Sequence, residues 1–389
     1  MEKPYVILFA KGLNGLGALR SANHARFSAF VLVDNPTDLS VYSRLSCRSY
    51  LLPSDPKIKD VLPVLDRLSS SEGGPGVLMA CSDSASELLS ELKEQGYARH
   101  HIVVPLIKTT RVLNDKRLEC RLMAGHGIAL PRTYYRLGQE SPSTFPLLIK
   151  PRTHKDCDIL GAKNVLVHSR EELDVFCSRF QEQVDRFIGQ QVIDGRDDRL
   201  WVCNVTYNLQ HELSACFVFS RLGTMPSHYG VTSLAISCDN PKLRAECAKI
   251  GKALRYCGPA MIEFKQDPET GIYYYLETNP RLGMCNWFDT QCGVNNIQAC
   301  VQIAYGNPVA SAAQKNNIVY WNFFGDLVAR LENRETIPAI ARRYLRLLFR
   351  PRIGAVFYWK DPVPAAKYCW DTIRTVWIRV GKRLSWRKL

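Results

Sequence analysis

Ala260–Gln266 (AMIEFKQ), Asp267–Gly271 (DPETG) and Ile272–Asn279 (IYYYLETN) read in succession as a strand, a turn and a returning strand. If all five residues of DPETG form the loop, Gln266 faces Ile272 and Glu263 faces Tyr275. Side chains alternate across a strand, so Glu263, Glu277 and Asn279 then share one face. In that register Glu263 and Glu277 are diagonal neighbours, about 7–8 Å apart at the backbone. Two carboxylates and an amide oxygen are hard donors, a set suited to Mg²⁺ bridging nucleotide phosphates. Arg281, just beyond, offers a forked cationic donor to phosphate or carboxylate. A slip of one residue would send Glu263 to the other face, so the reading depends on the turn. The competing reading is a surface hairpin carrying ordinary solvated acids.

Working outward, residues 4–110 alternate apolar strands with helical segments: Tyr5–Phe9, Ala29–Val33, Gly76–Ala80 and Ile102–Val104. This predicts an open parallel sheet of Rossmann-like type, with Gly12, Gly15 and Gly17 at the first strand–helix junction. Those glycines, with Asp34 at the end of the second strand, resemble a dinucleotide loop and suggest an oxidoreductase as an alternative. Their spacing, G-x-x-G-x-G, departs from the usual fingerprint, and tight strand–helix packing also requires glycine. Asp83, at a strand's carboxyl end, is a candidate substrate contact or a helix N-cap.

Asn114-Asp115-Lys116 opens a helix that stops near Gly127. Phe145–Lys150 is a strand delivering Lys150 to a proline turn, and the loop Arg152–Gly161 leads to a strand and a helix begun by Ser169-Arg170-Glu171-Glu172, which reads as a capping box. Phe187–Ile193, two strands within Leu200–Arg221 and a helix at Pro241–Tyr256 precede the hairpin. A polar loop and a helix at Asn295–Tyr305 follow it.

In sequence order, N-D-K at 114–116, G-I-x-x-P at 127–131, F-P-L-L-I-K-P at 145–151, I-G-Q-Q-V-I-D-G at 188–195 and I-E-F…Y-L-E-T-N-P-R-L-G at 262–283 resemble the ATP-grasp superfamily over about residues 1–310. The resemblance implies a Rossmann-like domain over 1–112 and a two-lobed ATP-grasp domain over 113–310, hinged near 190–195. It implies ATP with Mg²⁺ (or Mn²⁺) as cofactors. Lys116 and Lys150 would hold the phosphates, and Gln190, Gln191, Val192 and Ile193 the adenine edge, with Asp198 on the ribose. Glu263, Glu277 and Asn279 would be the metal ligands and Arg281 a phosphate or substrate contact. The implied reaction joins a carboxylate to an amine through an acyl phosphate. Within the superfamily, Ser220-Arg221-Leu222-Gly223…Pro226…His228-Tyr229-Gly230-Val231-Thr232-Ser233 resembles the substrate loop of D-aspartate ligase-like enzymes, with Arg221 on the acyl group or its phosphate. The loop 152–161 (RTHKDCDILG) departs from the glycine-rich lid of relatives, and Gln191 stands where an acid is common.

The net charge of +14 is concentrated in residues 330–389, where 15 Lys/Arg against 4 Asp/Glu give +11 and leave +3 for the rest. Trp370, Ile373, Trp377, Val380 and Leu384 follow helical spacing with Lys367, Arg374, Lys382 and Arg383 largely off the stripe. Ala341, Tyr344, Leu345 and Leu348 repeat the theme among Arg342, Arg343 and Arg346. This basic helical region, 311–389, suits the surface of an anionic membrane or packing on the body; without a nucleic-acid module, nucleic acid is not the expected partner. A non-catalytic scaffold acting through this region is a further alternative. Fourteen scattered cysteines with no C-x-x-C pair, no long apolar run and no leader-like N-terminus fit a cytoplasmic protein; a homodimer and a peripheral position at the inner face of the membrane are compatible with this expectation.

Overall fold

The computed structural model describes residues 4–225 and 230–386, with side chains up to Arg374 in the last helix. Three sheets organise it. The first contains β1 (Tyr5–Phe9), β2 (Ser28–Val33), β3 (Arg48–Leu51), β4 (Val77–Ala80) and β5 (His101–Ile102) in the order β3-β2-β1-β4-β5, every pair parallel. β1 and β4 are buried at every residue, as parallel strands covered on both faces must be. The open parallel sheet expected from the alternation is present. β3 is an addition that its mostly exposed, polar sequence (RSYL) did not advertise.

The second sheet is small and antiparallel: β6 (Thr133–Tyr134), β7 (Leu147–Pro151), β8 (Val165–Val167) and β9 (Phe187–Gln191), ordered β6-β9-β7-β8. Leu147, Ile149, Val167 and Phe187 pack against Leu173 and Phe176 of the helix Arg170–Phe180. Ser169 caps that helix by accepting from the Glu172 amide, whereas the Glu172 carboxylate returns to the amide of His168, not of Ser169. The capping box is therefore only half formed.

The third sheet has seven strands: β10 (Leu200–Tyr207), β11 (Leu213–Met225), β12 (Val231–Ser237), β13 (Gly258–Gln266), β14 (Tyr273–Asn279), β15 (Val319–Trp321) and β16 (Arg352–Gly354), ordered β14-β13-β10-β11-β12-β15-β16. The helix Pro241–Leu254 covers one face through Leu243, Cys247 and Ile250, against Val205, Val218 and Ile262. On the other face Phe217, Phe219, Phe288 and Tyr320 form an aromatic cluster. Phe288 belongs to a short helix, Asn286–Gln291, where a polar loop was expected. Residues beyond 310 thus supply two strands to this sheet as well as the helices Phe323–Glu332, Ile337–Leu348 and Val363–Trp386.

The hairpin itself departs from the expected pairing in two places. Asp267 and Ile272 close the loop, the Asp267 amide donating to the Ile272 carbonyl, so Gln266 pairs with Tyr273 rather than Ile272. That single slip would have put Glu263 on the wrong face. A β-bulge between Glu263 and Phe264, opposite Tyr275–Glu277, adds a second one-residue shift and restores the parity. Glu263 consequently lies directly across from Glu277, and Met261 across from Asn279. Tyr275, expected opposite Glu263, instead pairs with Phe264 and turns into the core with it.

Candidate active site

Lys116 is set by the start of its helix. The Asp115 side chain caps the helix Lys116–Gly125 by accepting from the amides of Arg117 and Leu118. The same carboxylate takes Arg152 Nε and Nη2 at 2.8 and 2.6 Å, and the Lys116 amide donates to the Arg152 carbonyl at 2.9 Å. This clamp ties the helix to the chain leaving β7, which carries Lys150.

From there Lys116 Nζ reaches Glu277 Oε2 at 2.5 Å, across 161 residues of sequence. The two side chains are 29 and 31 % exposed, open enough for a ligand to displace one from the other. The Lys116 ammonium, with help from Lys150, holds the Glu277 carboxyl well below the usual carboxylate range. Burial opposes the charge on Lys116, yet Glu277 and Glu119 outweigh it and raise the ammonium above its ordinary value.

Lys150 sits differently. Its ammonium donates to the Gln190 amide oxygen at 2.7 Å, and no carboxylate pairs with it among the described residues. Burial, and then repulsion from Lys116, lower its pKa. Two cations within each other's field, one of them hydrogen-bonded to an amide instead of a carboxylate, form a site that favours an incoming anion. Gln190, expected at the adenine edge, is buried and spends both ends here, its Nε2 donating to Thr133 Oγ1 at 3.1 Å.

On β13, Glu263 is held by Arg221, whose Nη2 lies 2.5 Å from Oε1; Arg221 Nε also donates to Thr232. Arg221 is buried. Asn279 Nδ2 lies 3.4 Å from Glu277 Oε1, and its oxygen accepts from Arg281 Nη2 at 3.2 Å. Arg281 Nε in turn meets Asp83 at 3.1 Å. Asp83 is therefore not the N-cap of its helix; Ser82 is, accepting from the Ala85 amide. Lys116, Glu277, Asn279, Arg281 and Asp83 form one continuous polar chain.

The remaining candidates are spread along the connection between the two antiparallel sheets. The Gln191 amide bonds to the Arg132 carbonyl and the Val192 amide to the Pro146 carbonyl, so neither donor is free. Ile193 follows in the same loop. Asp198 pairs with exposed Arg196 at 3.2 Å, and its carbonyl accepts from Ser220. Lys265 anchors this loop by donating to the Gly195 and Arg196 carbonyls at 2.5 and 3.0 Å. The segment 152–161 is a short 3-10 turn followed by one helical turn, fastened by Thr153 and Arg186 to Asp156. Pro226, His228 and Tyr229 of the expected substrate loop lie outside the described residues.

Sequence reasoning missed Glu119. It stands three residues beyond Lys116, one turn along the same helix, and is 1 % exposed. It accepts from Tyr275 Oη at 2.5 Å and from the Thr278 amide at 2.7 Å, pinning β14 so that Glu277 meets Lys116. Burial pushes its pKa up to about 7, outweighing Lys116 and both hydrogen bonds. The available signal was an acid flanked by Leu118, Cys120 and Met123 in a helix that must pack.

The donor set fits a divalent cation of Mg²⁺ type. Among the described residues no three His, Cys, Asp or Glu side chains gather around a common point. Glu263, Glu277 and the Asn279 amide would supply part of a coordination shell, leaving room for the phosphate and water oxygens that Mg²⁺ prefers. Each carboxylate is occupied by a cationic side chain that such an ion would replace.

No protein-family model matches the chain. It is 23% identical over 321 residues to the carbamoyl phosphate synthase large chain of Methanothermobacter thermautotrophicus, covering 78% of this chain. It spans only 28% of that relative's length. Among solved structures, it superposes on N5-carboxyaminoimidazole synthetase from Staphylococcus aureus complexed with ADP, with a TM-score of 0.62, 14% identity and 86% of both chains covered. L-amino acid ligase from Bacillus licheniformis matches with a TM-score of 0.56 and 14% identity, over 81% of this chain and 76% of that one. The parallel N-terminal sheet, the small antiparallel lobe and the large antiparallel lobe are the ATP-grasp fold.

Proposed function

We propose that the protein is a Mg²⁺- and ATP-dependent ligase that joins a small carboxylate, of amino-acid type, to an amine through an acyl phosphate. The observation that carries this reading is the meeting of Lys116, Lys150 and Glu277 between the small lobe and the hairpin. In it, residues 1–112, 113–310 and 311–389 are the Rossmann-like, catalytic and basic parts. When bound, the metal supplies charge neutralisation and orients the phosphates for in-line transfer.

Lys150 would meet the transferring phosphate with an ammonium that is hydrogen-bonded to an amide rather than to a carboxylate, and Lys116 would hold phosphate in place of Glu277, which is then one of the residues that would hold the metal. Glu263 would also hold the metal, which would leave Arg221, its present partner, available to the acyl substrate. Arg281, braced by Asp83, faces the same space and neutralises charge as the phosphate leaves. The backbone between Gln191 and Ile193 takes the adenine edge through its carbonyls, since two of its amides are engaged. The L-amino acid ligase among the neighbours supports an amino-acid carboxylate, and the D-aspartate ligase-like pattern at 220–233 supports Arg221 as its ligand.

Purified protein screened with amino acids and amines for ATP-dependent phosphate release tests the reading. An active pair should appear, and Glu277→Gln should abolish release with it. Full activity in that variant would remove the metal assignment.

A further inference from the structure

Apolar surface is unevenly distributed on this molecule. Phe349, Trp359, Phe357, Trp370, Ile337 and Leu345, exposed by 56–89 %, all lie in the basic C-terminal region. Two helices there show how the surface is built. In Ile337–Leu348, Ile340 and Leu347 are buried, Leu347 packing against Leu234 and Val319, so these two positions mark the inner side. At about 100° per residue, Ile337 and Leu348 fall roughly 70–90° from that inner side and Leu345 roughly 150° from it, at the outer edge of the apolar arc, while Arg342 and Arg346 fall roughly 150° and 110° away on the other flank. The apolar arc of this helix is wider than the body covers.

The last helix, Val363–Trp386, repeats the arrangement. Ala365 and Tyr368 face the core of the large sheet. Val363, Trp370 and Ile373 lie on the opposite side and are 50, 67 and 52 % exposed. Lys367 and Arg374 flank them on the helical wheel. The sequence continues this spacing at Trp377, Val380 and Leu384, whose side chains lie outside the described residues.

A helix packed by one side, apolar on the other and edged with arginine is suited to lie in the plane of a lipid headgroup layer. Tryptophan and phenylalanine prefer that depth, and basic residues are drawn to an anionic leaflet. None of the described helices is long and apolar enough to cross a membrane, so the geometry is that of a surface contact.

We propose that residues 337–374 form a docking surface for an anionic lipid bilayer, with Trp359, Trp370, Leu345 and Phe349 entering the headgroup layer and Arg342, Arg346, Arg350 and Arg374 meeting lipid phosphates. The charge complementarity favours this occupant: the segment from Arg330 onward carries +11, whereas the remaining 329 residues carry +3. The inference does not depend on the ligase reading, because it uses none of the residues placed in that site.

Co-sedimentation of the full chain with vesicles tests it. Binding should be strong to vesicles of equal phosphatidylcholine and phosphatidylglycerol at about 50 mM salt, and should fall at least about tenfold at ~500 mM. Phosphatidylcholine alone should bind at least about tenfold more weakly. The combined Arg342→Glu, Arg346→Glu, Arg350→Glu variant and the combined Leu345→Ser, Trp370→Ser variant should each lose on the order of tenfold or more, with unchanged far-ultraviolet circular dichroism. Three outcomes would overturn the proposal. One is no binding at low salt. Another is equal binding to both vesicle types. The third is a dimer, or a complex with duplex nucleic acid, that the same variants disrupt while vesicle binding stays absent.

Discussion

Two regions of this molecule carry sequence signals for a nucleotide: the glycine turn Gly12–Gly17 with Asp34, and the lysine–hairpin cluster of Lys116, Lys150 and Glu277. Their surroundings separate them. In the turn the charges find partners within the chain, although Asp34 Oδ1 is buried without a hydrogen bond. The Gly12 amide, which would face a pyrophosphate, donates to Asp38 at 2.6 Å, placing an acid where the phosphate would sit. Asp34 pairs with Lys11 at 2.6 Å. A Cβ on Gly15 would lie 2.6 Å from the Ala10 Cβ, and one on Gly17 would lie 2.7 Å from Asn286 Oδ1. These glycines are demanded by packing. In the cluster, by contrast, the hydrogen bond that the Lys150 ammonium makes goes to an amide and not to a carboxylate, and burial, then repulsion from Lys116, lowers its pKa. Glycine spacing reports how close two backbones must come, and charge balance reports whether room is left for a ligand.

The largest effect expected from this contrast is on catalysis. Lys150→Met should lower ATP-dependent phosphate release by about 10²–10³-fold, the usual cost of removing one preorganised charge from a phosphoryl-transfer site. Binding of ATP should weaken with it, which isothermal titration would show. A variant that retained wild-type turnover would make the cluster structural, like the turn, and erase the distinction.

Next is a pH effect that belongs to the cluster alone. Glu119 moves from an ordinary 4.5 to about 7 on folding. Between those values the folded chain keeps a proton that the unfolded chain has lost, so stability falls as pH rises across the window, and the penalty is complete above 7. The shift corresponds to ~3 kcal/mol. Glu277 acts in the opposite direction in a separate window. Held down by Lys116, it contributes stability that is lost as pH falls below 4.5. Glu119→Gln should flatten the decline between pH 4.5 and 7 in urea melts. Parallel slopes in variant and wild type would show that Glu119 stays ionised in the fold.

Glu119 also marks the limit of what the sequence makes legible. The strand–turn–strand reading of 260–279 and the alternation of 4–110 follow from local patterns, and both reappear in the structure. The shared face of Glu263 and Glu277 is also legible, although by a register that is off at the turn and off again at the bulge. Bulges leave little trace in a pattern of period two, and Leu276 looks like any other strand residue. Partners distant in sequence are beyond local reading altogether. Nothing in R-L-E-C-R-L predicts that Glu119 will bond the amide of Thr278, 159 residues away, or that Asp115 will bind Arg152. Nor does the expected adenine segment announce that Gln190 turns inward to Lys150. The C-terminal region reads well as helices, while β15 and β16, three residues each, are too short to carry a pattern.

The turn offers a third, smaller effect. Gly17→Ala places a methyl against Asn286, which bonds Asn14 through its Nδ2 at 2.8 Å and is buried. Overpacking of this kind costs about 1–3 kcal/mol, visible as a lower urea midpoint. The rate of phosphate release per folded molecule should not change. A turnover defect larger than the stability loss explains would return the glycine turn to the list of ligand sites.

Asp34→Asn should do least, and its small effect is the sharpest statement of the contrast. If Asp34 held a ribose, removing its charge would abolish binding of a dinucleotide and change activity outright. If it serves only Lys11, the loss is that of one ion pair, with Lys11 half exposed at 55 %, which solvent screens to below about 1 kcal/mol. Neither nicotinamide dinucleotide should then alter the protein's melting temperature, in wild type or variant, while ATP with Mg²⁺ should raise it in both by mass action. A dinucleotide that stabilised wild type but not Asp34→Asn would invert the assignment of the two regions.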